Sequence, residues 1–232
     1  MKSTKKFFNL ILLIVLAVCA WNIYLGWQKY TAATKKMPLA DAAAKIRADE
    51  SFTPYEKIPE MFTNAVVAVE DRRFYGHHGI DIIGICRAVY NDVKTRSLTE
   101  GGSTITQQLA KNMYYMGDDT PSRKIAEMIT AFKLEKSFTK REILELYFNV
   151  IYYGSGYYNI HDAAEGYFSK QPSEMDDYEC TLLAGLPNAP SAYSPDKNPG
   201  LAAKRQKKVV RSMVKYGCIS ETEGEDILAH KR

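Results

Sequence analysis

The feature that most constrains this chain is an uncharged stretch near its start, Phe7 to Trp27, which reads FFNLILLIVLAVCAWNIYLGW. A helix rises about 1.5 Å per residue, so this stretch is long enough to cross a hydrocarbon core of roughly 30 Å. We therefore predict a transmembrane helix over residues 7–27, preceded by a cytoplasmic tail, residues 1–6. Lys2, Lys5 and Lys6 lie in that tail. Because basic residues stay on the cytoplasmic side, the rest of the chain is expected outside the cell membrane.

Two alternatives to an anchor depend on small residues late in the apolar stretch. Ala17 and Ala20 are compatible with a signal-peptide cleavage site, and Cys19 is a candidate for lipid attachment. The anchor is favoured because the apolar stretch continues to Trp27, beyond the usual length of a signal-peptide core. Val18 is also bulky for the residue before a lipid-modified cysteine.

Composition limits the class of the exported part. Of 232 residues, 46% are hydrophobic and 25% are charged, which is typical of a folded globular protein. The net charge of +4 is mild and no basic stripe carries interleaved aromatic residues, so no nucleic-acid partner is expected. A basic face outside a membrane more naturally meets anionic lipid headgroups or pyrophosphates. The cysteines have no CxxC spacing, and Cys86 and Cys180 are expected to be buried thiols.

Helix signals dominate the remaining sequence. Pro121 follows Thr120 at a helix start, and capping-box patterns occur at Thr139 with Glu142 and at Ser220 with Glu223. Alternating strand patterns are nearly absent, so we predict a mainly α-helical fold. The expected divisions are a stalk, or a short helix with a linker, at 28–54, one domain at 55–216 and a C-terminal helix at 217–232. The exceptions to helix are two glycine-containing loops, 97–104 and 149–160, and loops on a rigid scaffold commonly carry sites.

Three short stretches are rich in polar and charged side chains. The first, EDRRFYGHHG, begins at Glu70, which ends the apolar helix PEMFTNAVVAVE. Charge runs are usually solvated turns. A carboxylate delivered to a cleft by a buried helix, however, suits proton abstraction.

The second stretch is GGSTITQQLAKN, residues 101–112. A capping box between Thr104 and Gln107 would explain those two side chains by structure alone. It leaves Ser103, Thr106, Gln108, Lys111 and Asn112 unexplained, and hydroxyls with a lysine at a helix start are suited to an anion or sugar.

The third stretch, RKIAE, places Arg123 and Glu127 on one helix face, where an ordinary surface ion pair is the usual meaning. Together with Glu70, however, Glu127 supplies the second carboxylate of a pair suited to glycosyl transfer.

These stretches, followed by KREILELYFNVIYYGSG with AAEGYFSK and by LLAGLPNAPSAYSP, occur in the order and spacing of five known motifs. The chain, from about residue 55 to 215, resembles the peptidoglycan glycosyltransferase domain of bifunctional penicillin-binding proteins and of monofunctional transglycosylases. The resemblance implies a mainly helical, lysozyme-like fold with a small membrane-proximal jaw. It also implies that the chain polymerises lipid II at the outer face of the cytoplasmic membrane, with inversion and release of undecaprenyl pyrophosphate.

The resemblance also assigns roles to individual residues. Glu70 is implied to be the general base and Glu127 the second catalytic carboxylate. The implied substrate-binding groups are Asp71, Ser103, Thr104, Gln107, Gln108, Lys111, Asn112, Arg123 and Lys124. Phe74, His77 and Gly79 occupy matching positions of the family motif and are expected to be structural, since a lone histidine such as His77 is more often hydrogen-bonded scaffold than catalyst. Tyr147 and Asn149 are also expected to be structural and to fix the loop that follows them, with substrate contact as the alternative. One departure from the family pattern is Asn159, where members commonly have glycine, and asparagine tolerates a left-handed backbone.

No organic cofactor is expected, and a divalent metal, Mg or Mn, is a candidate counter-ion for the leaving pyrophosphate. The expected partners are lipid II, the growing glycan chain, the bilayer, transpeptidases, and division or elongation proteins. Residues 113–120, MYYMGDDT, are a candidate contact with the bilayer. Two rival functions stay open: a lysozyme-like hydrolase, which would need no pyrophosphate site, and a noncatalytic lipid II scaffold, which would not need Glu70 or Glu127.

Overall fold

A computed structural model describes residues 2–95 and 102–229 of this chain, and helices make up most of them. The prediction of a mainly α fold is confirmed. Within the described ranges no strand forms, and an isolated bridge joins Gly154 to Tyr157. The α-helices are α1 Lys2–Lys36, α2 Leu39–Arg47, α3 Glu60–Glu70, α4 Ile82–Thr95, α5 Ile105–Tyr114, α6 Pro121–Ser137, α7 Lys140–Phe148, α8 Ile160–Phe168, α9 Asp177–Gly185, α10 Pro190–Tyr193, α11 Pro199–Lys215 and α12 Glu221–Ala229.

The core of the domain forms where α3, α9 and α11 pack against one another. Phe62 of α3 is fully buried, and its ring meets Phe148 edge to face with 4.9 Å between centroids. Helices α5, α6 and α7 form the other side of the domain, with α5 packed on both of its neighbours. Glu70 ends α3 and Ile105 begins α5, so the ends of two core helices determine where the first two polar stretches lie.

Helix α1 is long and apolar enough to cross a membrane, with a candidate span at Lys5–Lys36 that contains an 18-residue stretch of mean hydropathy 2.3. It continues past the predicted limit at residue 27 and packs along α6. Gly26 allows this contact, because a Cβ there would lie 2.5 Å from Cβ of Ile125. Lys29 forms an ion pair with Asp118 beside the same contact. Part of the expected stalk, residues 28–54, is therefore helix packed against the domain.

The local helix signals act as predicted. Pro121 occupies the first turn of α6, and the capping boxes at Thr139 and Ser220 both form, with Glu142 and Glu223 as partners. Most of the predicted loop 97–104, including Gly101, lies outside the described residues, as do residues 230–232.

The cysteine prediction is half correct. Cys180 is buried in the core, and burial raises the pKa of its thiol to about 12. Cys86 is exposed, because it lies on the outer face of α4, whose apolar residues Ile82 and Ile83 are also exposed. An apolar neighbourhood in sequence does not show which way a short helix faces.

Asn159 does not adopt the left-handed backbone that its likeness to glycine suggested. Its φ is −151°, which is extended, and its side-chain oxygen accepts a hydrogen bond from the backbone N–H of Asp162. Asn159 therefore caps the start of α8. The left-handed residues of the preceding loop are Gly154, Ser155 and Gly156.

Candidate active site

A cleft of about 650 Å³ opens beside the end of α3 and is lined by residues from α3 to α6 and from α11. The described side chains that the sequence assigned to catalysis or substrate binding all line this cleft. The predicted structural residues Phe74, His77, Tyr147 and Asn149 support it from positions outside the lining. The three polar stretches therefore meet at one cleft, and the structure shows how each is held.

Glu70 lies at the inner side of the cleft with its side chain 8% exposed. Its Oε1 accepts from Arg205 Nη2 at 2.8 Å, and its Oε2 accepts from Gln108 Nε2 at 3.0 Å. Tyr147 Oη in turn donates to Gln108 Oε1 at 3.0 Å. Burial, and then the charge of Glu70, raise the pKa of the Tyr147 hydroxyl well above its ordinary value, so it remains a donor. The carboxylate is therefore fixed in direction, and each oxygen keeps a second lone pair for a substrate proton.

Glu127 is the second carboxylate, and it is saturated with cations. Its Oε1 accepts from Arg123 Nη1 and its Oε2 from Lys124 Nζ, each at 2.8 Å. The Glu127 side chain is only 2% exposed while that of Lys124 is 43% exposed, so a buried carboxylate here meets cations at the cleft surface, and this is not the ordinary surface pair that the spacing alone suggests. Lys124 Nζ also donates to Ser103 Oγ at 2.7 Å, which joins the second and third polar stretches.

Thr104 and Gln107 hold the beginning of α5. The capping box between them is complete, and Thr104 Oγ1 also donates to the carbonyl oxygen of Gly79 at 2.7 Å. Gly79 has φ +91°, and a Cβ there would lie 2.9 Å from the backbone of Ala131. The side-chain oxygens of Thr104 and Gln107 are thus occupied by structure, whereas Gln108, Lys111 and Asn112 present polar groups along the cleft.

Asp71 and His77 tie the first polar stretch to α5. Both Asp71 oxygens lie within 3.0 Å of His77 Nε2, and Asp71 Oδ2 accepts from the backbone N–H of Ile105 at 3.0 Å. The Phe74 ring stands edge on to the His77 ring, with 6.1 Å between centroids. This buried pair fixes the end of α3 against the start of α5, and with it the position of Glu70.

Asn149 supports the cleft differently from the expectation. Its side-chain amide accepts from the N–H of Thr53 at 2.8 Å and donates to the carbonyl of Thr53 at 2.9 Å. It therefore anchors the segment that enters the domain, and not the loop that follows it. Tyr147 reaches inward to Gln108, one residue away from direct contact with Glu70.

Two arginines that line the cleft, Arg205 and Arg87, were not predicted from the sequence. Arg205 is 6% exposed and lies on the buried face of α11 with Ala202, Val209 and Met213. An arginine on an apolar helix face needs a buried acid partner, and that signal was available in the sequence. Arg87 of α4 lines the cleft, and its Nη1 is buried with no hydrogen-bond partner among the described residues. Arg123 Nε is in the same state.

The charge arrangement determines what the cleft can hold. Guanidinium donors of Arg87 and Arg123 are buried and meet no acceptor in the part of the chain that the structure describes, so this part of the cleft is suited to an anionic ligand. Within residues 2–95 and 102–229, no group of three or more His, Cys, Asp and Glu side chains is placed to hold a metal ion. Glu127, the obvious candidate ligand, already pairs with two cations.

Comparison with known proteins gives consistent matches. The family model described as Transglycosylase matches residues 38–214. A Cupriavidus necator protein whose name attributes transglycosylase activity to it is 44% identical over 93% of this chain and 93% of its own length. Penicillin-binding protein 1A of Neisseria lactamica is 44% identical over 76% of this chain, which spans only 22% of that protein. A crystal structure of penicillin-binding protein 1A from Haemophilus influenzae aligns with 55% of this chain and 16% of that one, at 28% identity and a TM-score of 0.38. The family model and the Cupriavidus necator relative confirm the resemblance drawn from the five motifs.

Proposed function

The chain belongs to the transglycosylase family, and we propose that it polymerises lipid II into β-1,4-linked glycan strands of peptidoglycan with release of undecaprenyl pyrophosphate. The observation that carries the proposal is that two buried carboxylates in one cleft have different hydrogen-bond partners. Glu70 meets one cation and one neutral amide, whereas Glu127 meets two cations. Glu70 is thus the carboxylate suited to accept a proton, and the cluster around Glu127 is suited to a leaving anion.

In the proposed reaction, Glu70 takes the proton from the 4-hydroxyl of the acceptor N-acetylglucosamine. The oxygen attacks C1 of the N-acetylmuramic acid of the donor from the face opposite the phosphate, so configuration inverts. The C1–O bond to the pyrophosphate breaks, and its electron pair leaves with undecaprenyl pyrophosphate. Arg123 and Lys124 stabilise the charge that develops on that group, with Arg87 as a third cation.

The position of α6 supports a lipid-linked donor. Gly26 of α1 contacts Ile125, which lies between Lys124 and Glu127 on α6. One turn of α6 therefore carries both the contact with the apolar helix and the cations of the cleft. We propose that α1 anchors the chain in the cytoplasmic membrane with its N-terminus in the cytoplasm, so that the leaving pyrophosphate reaches α6 at the level of the lipid headgroups.

The described residues do not fit a resident divalent metal, because no cluster of three or more acidic, histidine or cysteine side chains forms among them. A requirement for Mg or Mn remains a prediction, which addition of EDTA to the polymerisation assay tests. Transpeptidases and the division or elongation proteins likewise remain expected partners.

The test is polymerisation of labelled lipid II by the full chain in detergent, with glycan length read on a gel. The wild type is expected to make polymer, and Glu70→Gln is expected to make none while it keeps its fold and its binding of lipid II. The matched control is Glu60→Gln, an exposed glutamate at the other end of α3, which should polymerise normally.

Three outcomes contradict the proposal. Full activity of Glu70→Gln would remove Glu70 as the base. Shortening of a preformed glycan without use of lipid II would identify a hydrolase. Binding of lipid II by the wild type with no polymer would favour a noncatalytic scaffold.

A further inference from the structure

The cleft extends beyond Glu70 along a face of α11 that has no assigned role. Lys208, Ser212 and Tyr216 line it, and they follow Arg205 at intervals of three, four and four residues. This spacing places all four side chains on one helix face. At about 1.5 Å per residue, the face runs roughly 16 Å from Arg205 to Tyr216. Arg72, two residues after Glu70, lines the same part of the cleft.

Tyr216 is held in a defined position at the end of this face. Gly217 has φ +73°, its N–H bonds the carbonyl of Val214 at 3.1 Å, and the N–H of Cys218 bonds the carbonyl of Met213 at 2.9 Å. These bonds form the glycine-dependent end of a helix, so the backbone of Tyr216 is fixed.

The Tyr216 ring is held by Arg72. Arg72 Nη1 donates to Tyr216 Oη at 3.1 Å, and its guanidinium carbon lies 5.0 Å from the ring centroid. The residue is nevertheless 38% exposed. An oriented, accessible aromatic ring beside cations offers both an apolar surface and charge to a ligand.

The arrangement of the helices around Glu70 indicates whether the donor or the acceptor occupies the α11 face. Glu70 is held between Gln108 of α5 and Arg205 of α11, and α5 packs on α6. The cations assigned to the leaving pyrophosphate are on α6, so the donor occupies that side of Glu70. The acceptor must approach Glu70 from the other side, which is the side of α11.

We propose that the α11 face formed by Lys208, Ser212 and Tyr216, together with Arg72, is a subsite for the second sugar of the acceptor and its anionic substituents. The proposal rests on the polymerase function proposed above. Tyr216 packs against a face of the sugar ring, because one side of a pyranose presents C–H groups. Arg72 and Lys208 bind the anionic groups that this sugar carries, either pyrophosphate oxygens or stem-peptide carboxylates.

The test measures acceptor and donor separately. A preformed lipid-linked glycan primer serves as donor and lipid II as acceptor, and KM is determined for each. Tyr216→Ala and Lys208→Ala should each raise KM for lipid II by roughly fivefold, the effect of losing one partly exposed contact. KM for the primer should stay unchanged. The matched control is Lys207→Ala, because Lys207 is an exposed lysine next to Lys208 that does not line the cleft.

Two soluble probes identify the anion: the disaccharide-pentapeptide, and the same compound as its 1-pyrophosphate. Weaker binding of both probes to Lys208→Ala assigns stem-peptide carboxylates, and weaker binding of the pyrophosphate form alone assigns the phosphate. Unchanged KM for lipid II in Tyr216→Ala and Lys208→Ala would overturn the subsite, as would an equal rise in KM for the primer. Absence of polymer from the wild type would instead contradict the proposed function.

Discussion

Replacing Arg205 with methionine should destabilise the protein strongly. Glu70 and Arg205 are 8% and 6% exposed and meet at 2.8 Å. Arg205→Met leaves the Glu70 carboxylate buried with Gln108 as its remaining donor in the described structure, and such an uncompensated charge costs about 3–5 kcal/mol. For a chain of this size, each kcal/mol lowers Tm by about 2–4 °C, so we expect Tm to fall by roughly 6–20 °C.

Glu70→Gln, which removes the other charge of this ion pair, should destabilise the protein less than Arg205→Met does. In Glu70→Gln the side-chain oxygen still accepts from Arg205, and Arg205 keeps its bond from Nε to the carbonyl of Gly185. The new amide nitrogen meets Gln108, whose own amide can turn over because the Tyr147 hydroxyl is able to accept as well as donate. Glu70→Gln is therefore expected to melt well above Arg205→Met.

The decisive variant carries both substitutions. Glu70→Gln removes the charge that Arg205→Met leaves without a partner, so the double variant should melt above Arg205→Met alone. Thermal unfolding of the full chain in detergent, followed by near-ultraviolet circular dichroism, measures all four proteins. Arg211→Met, an exposed arginine on the same helix, is the control and should leave Tm within about 2 °C of the wild type. The reasoning is refuted if Arg205→Met melts with this control, or if the double variant melts below Arg205→Met.

Three further predictions concern other parts of the molecule. Asn159→Gly should cost only a few tenths of a kcal/mol in thermal unfolding and Asn159→Ala about 1 kcal/mol, because glycine is tolerated at a helix start; equal losses would contradict the capping role. Gly26→Leu should overpack the contact with Ile125 and lower the free energy of unfolding by about 1–3 kcal/mol. Ala20→Leu, on the exposed part of α1, is the control and should be neutral. An unchanged Tm of Gly26→Leu would exclude the close approach of α1 to Ile125. Lys29 and then Thr120 hold the pKa of the Asp118 carboxyl below its ordinary value, so the ion pair contributes above the unfolded pKa and is lost as pH falls toward the folded one. A distance between spin labels on α1 and α6 should therefore stay constant from pH 8 to pH 5, and a change within that range would contradict this role.

The sequence predicted the parts of the fold that depend on near neighbours. The helix starts at Thr139 and Ser220 follow from side chains that bond backbone groups three residues away. Pro121 starts α6 because the fixed φ of proline fits the first turn of a helix. Glu70 was located for a similar reason, because the apolar spacing of α3 shows that a buried helix ends there. Local chemistry of this kind is readable from a single chain.

Contacts across the chain were not readable in the same way. Arg205 lies 135 residues from Glu70 in the sequence. The residues that flank either one do not indicate that the two side chains form a pair. The arginine on the buried face of α11 predicts an acidic partner, but only the packing of α11 on α3 shows that this partner is Glu70. The course of α1 beyond residue 27 could not be predicted for the same reason, since a stalk, a short helix and a docked helix have the same composition. Gly26 distinguishes a docked helix from a stalk, because its missing side chain leaves room for Ile125 of another helix, and that contact is visible only in the structure.

Helix α6 explains why the anchor and the chemistry have to be studied together. Its side toward the cleft carries Arg123, Lys124 and Glu127, and its side toward α1 carries Ile125. Deleting α1 would expose Ile125 and remove Lys29 from Asp118, so the helix that holds the cluster around Glu127 would lose packing on its opposite face. Loss of activity in a chain without α1 would then have two explanations, a disturbed α6 and the loss of the membrane anchor. Only the full chain, compared with Gly26→Leu, separates the two causes, because that variant keeps the apolar span while it disturbs the contact.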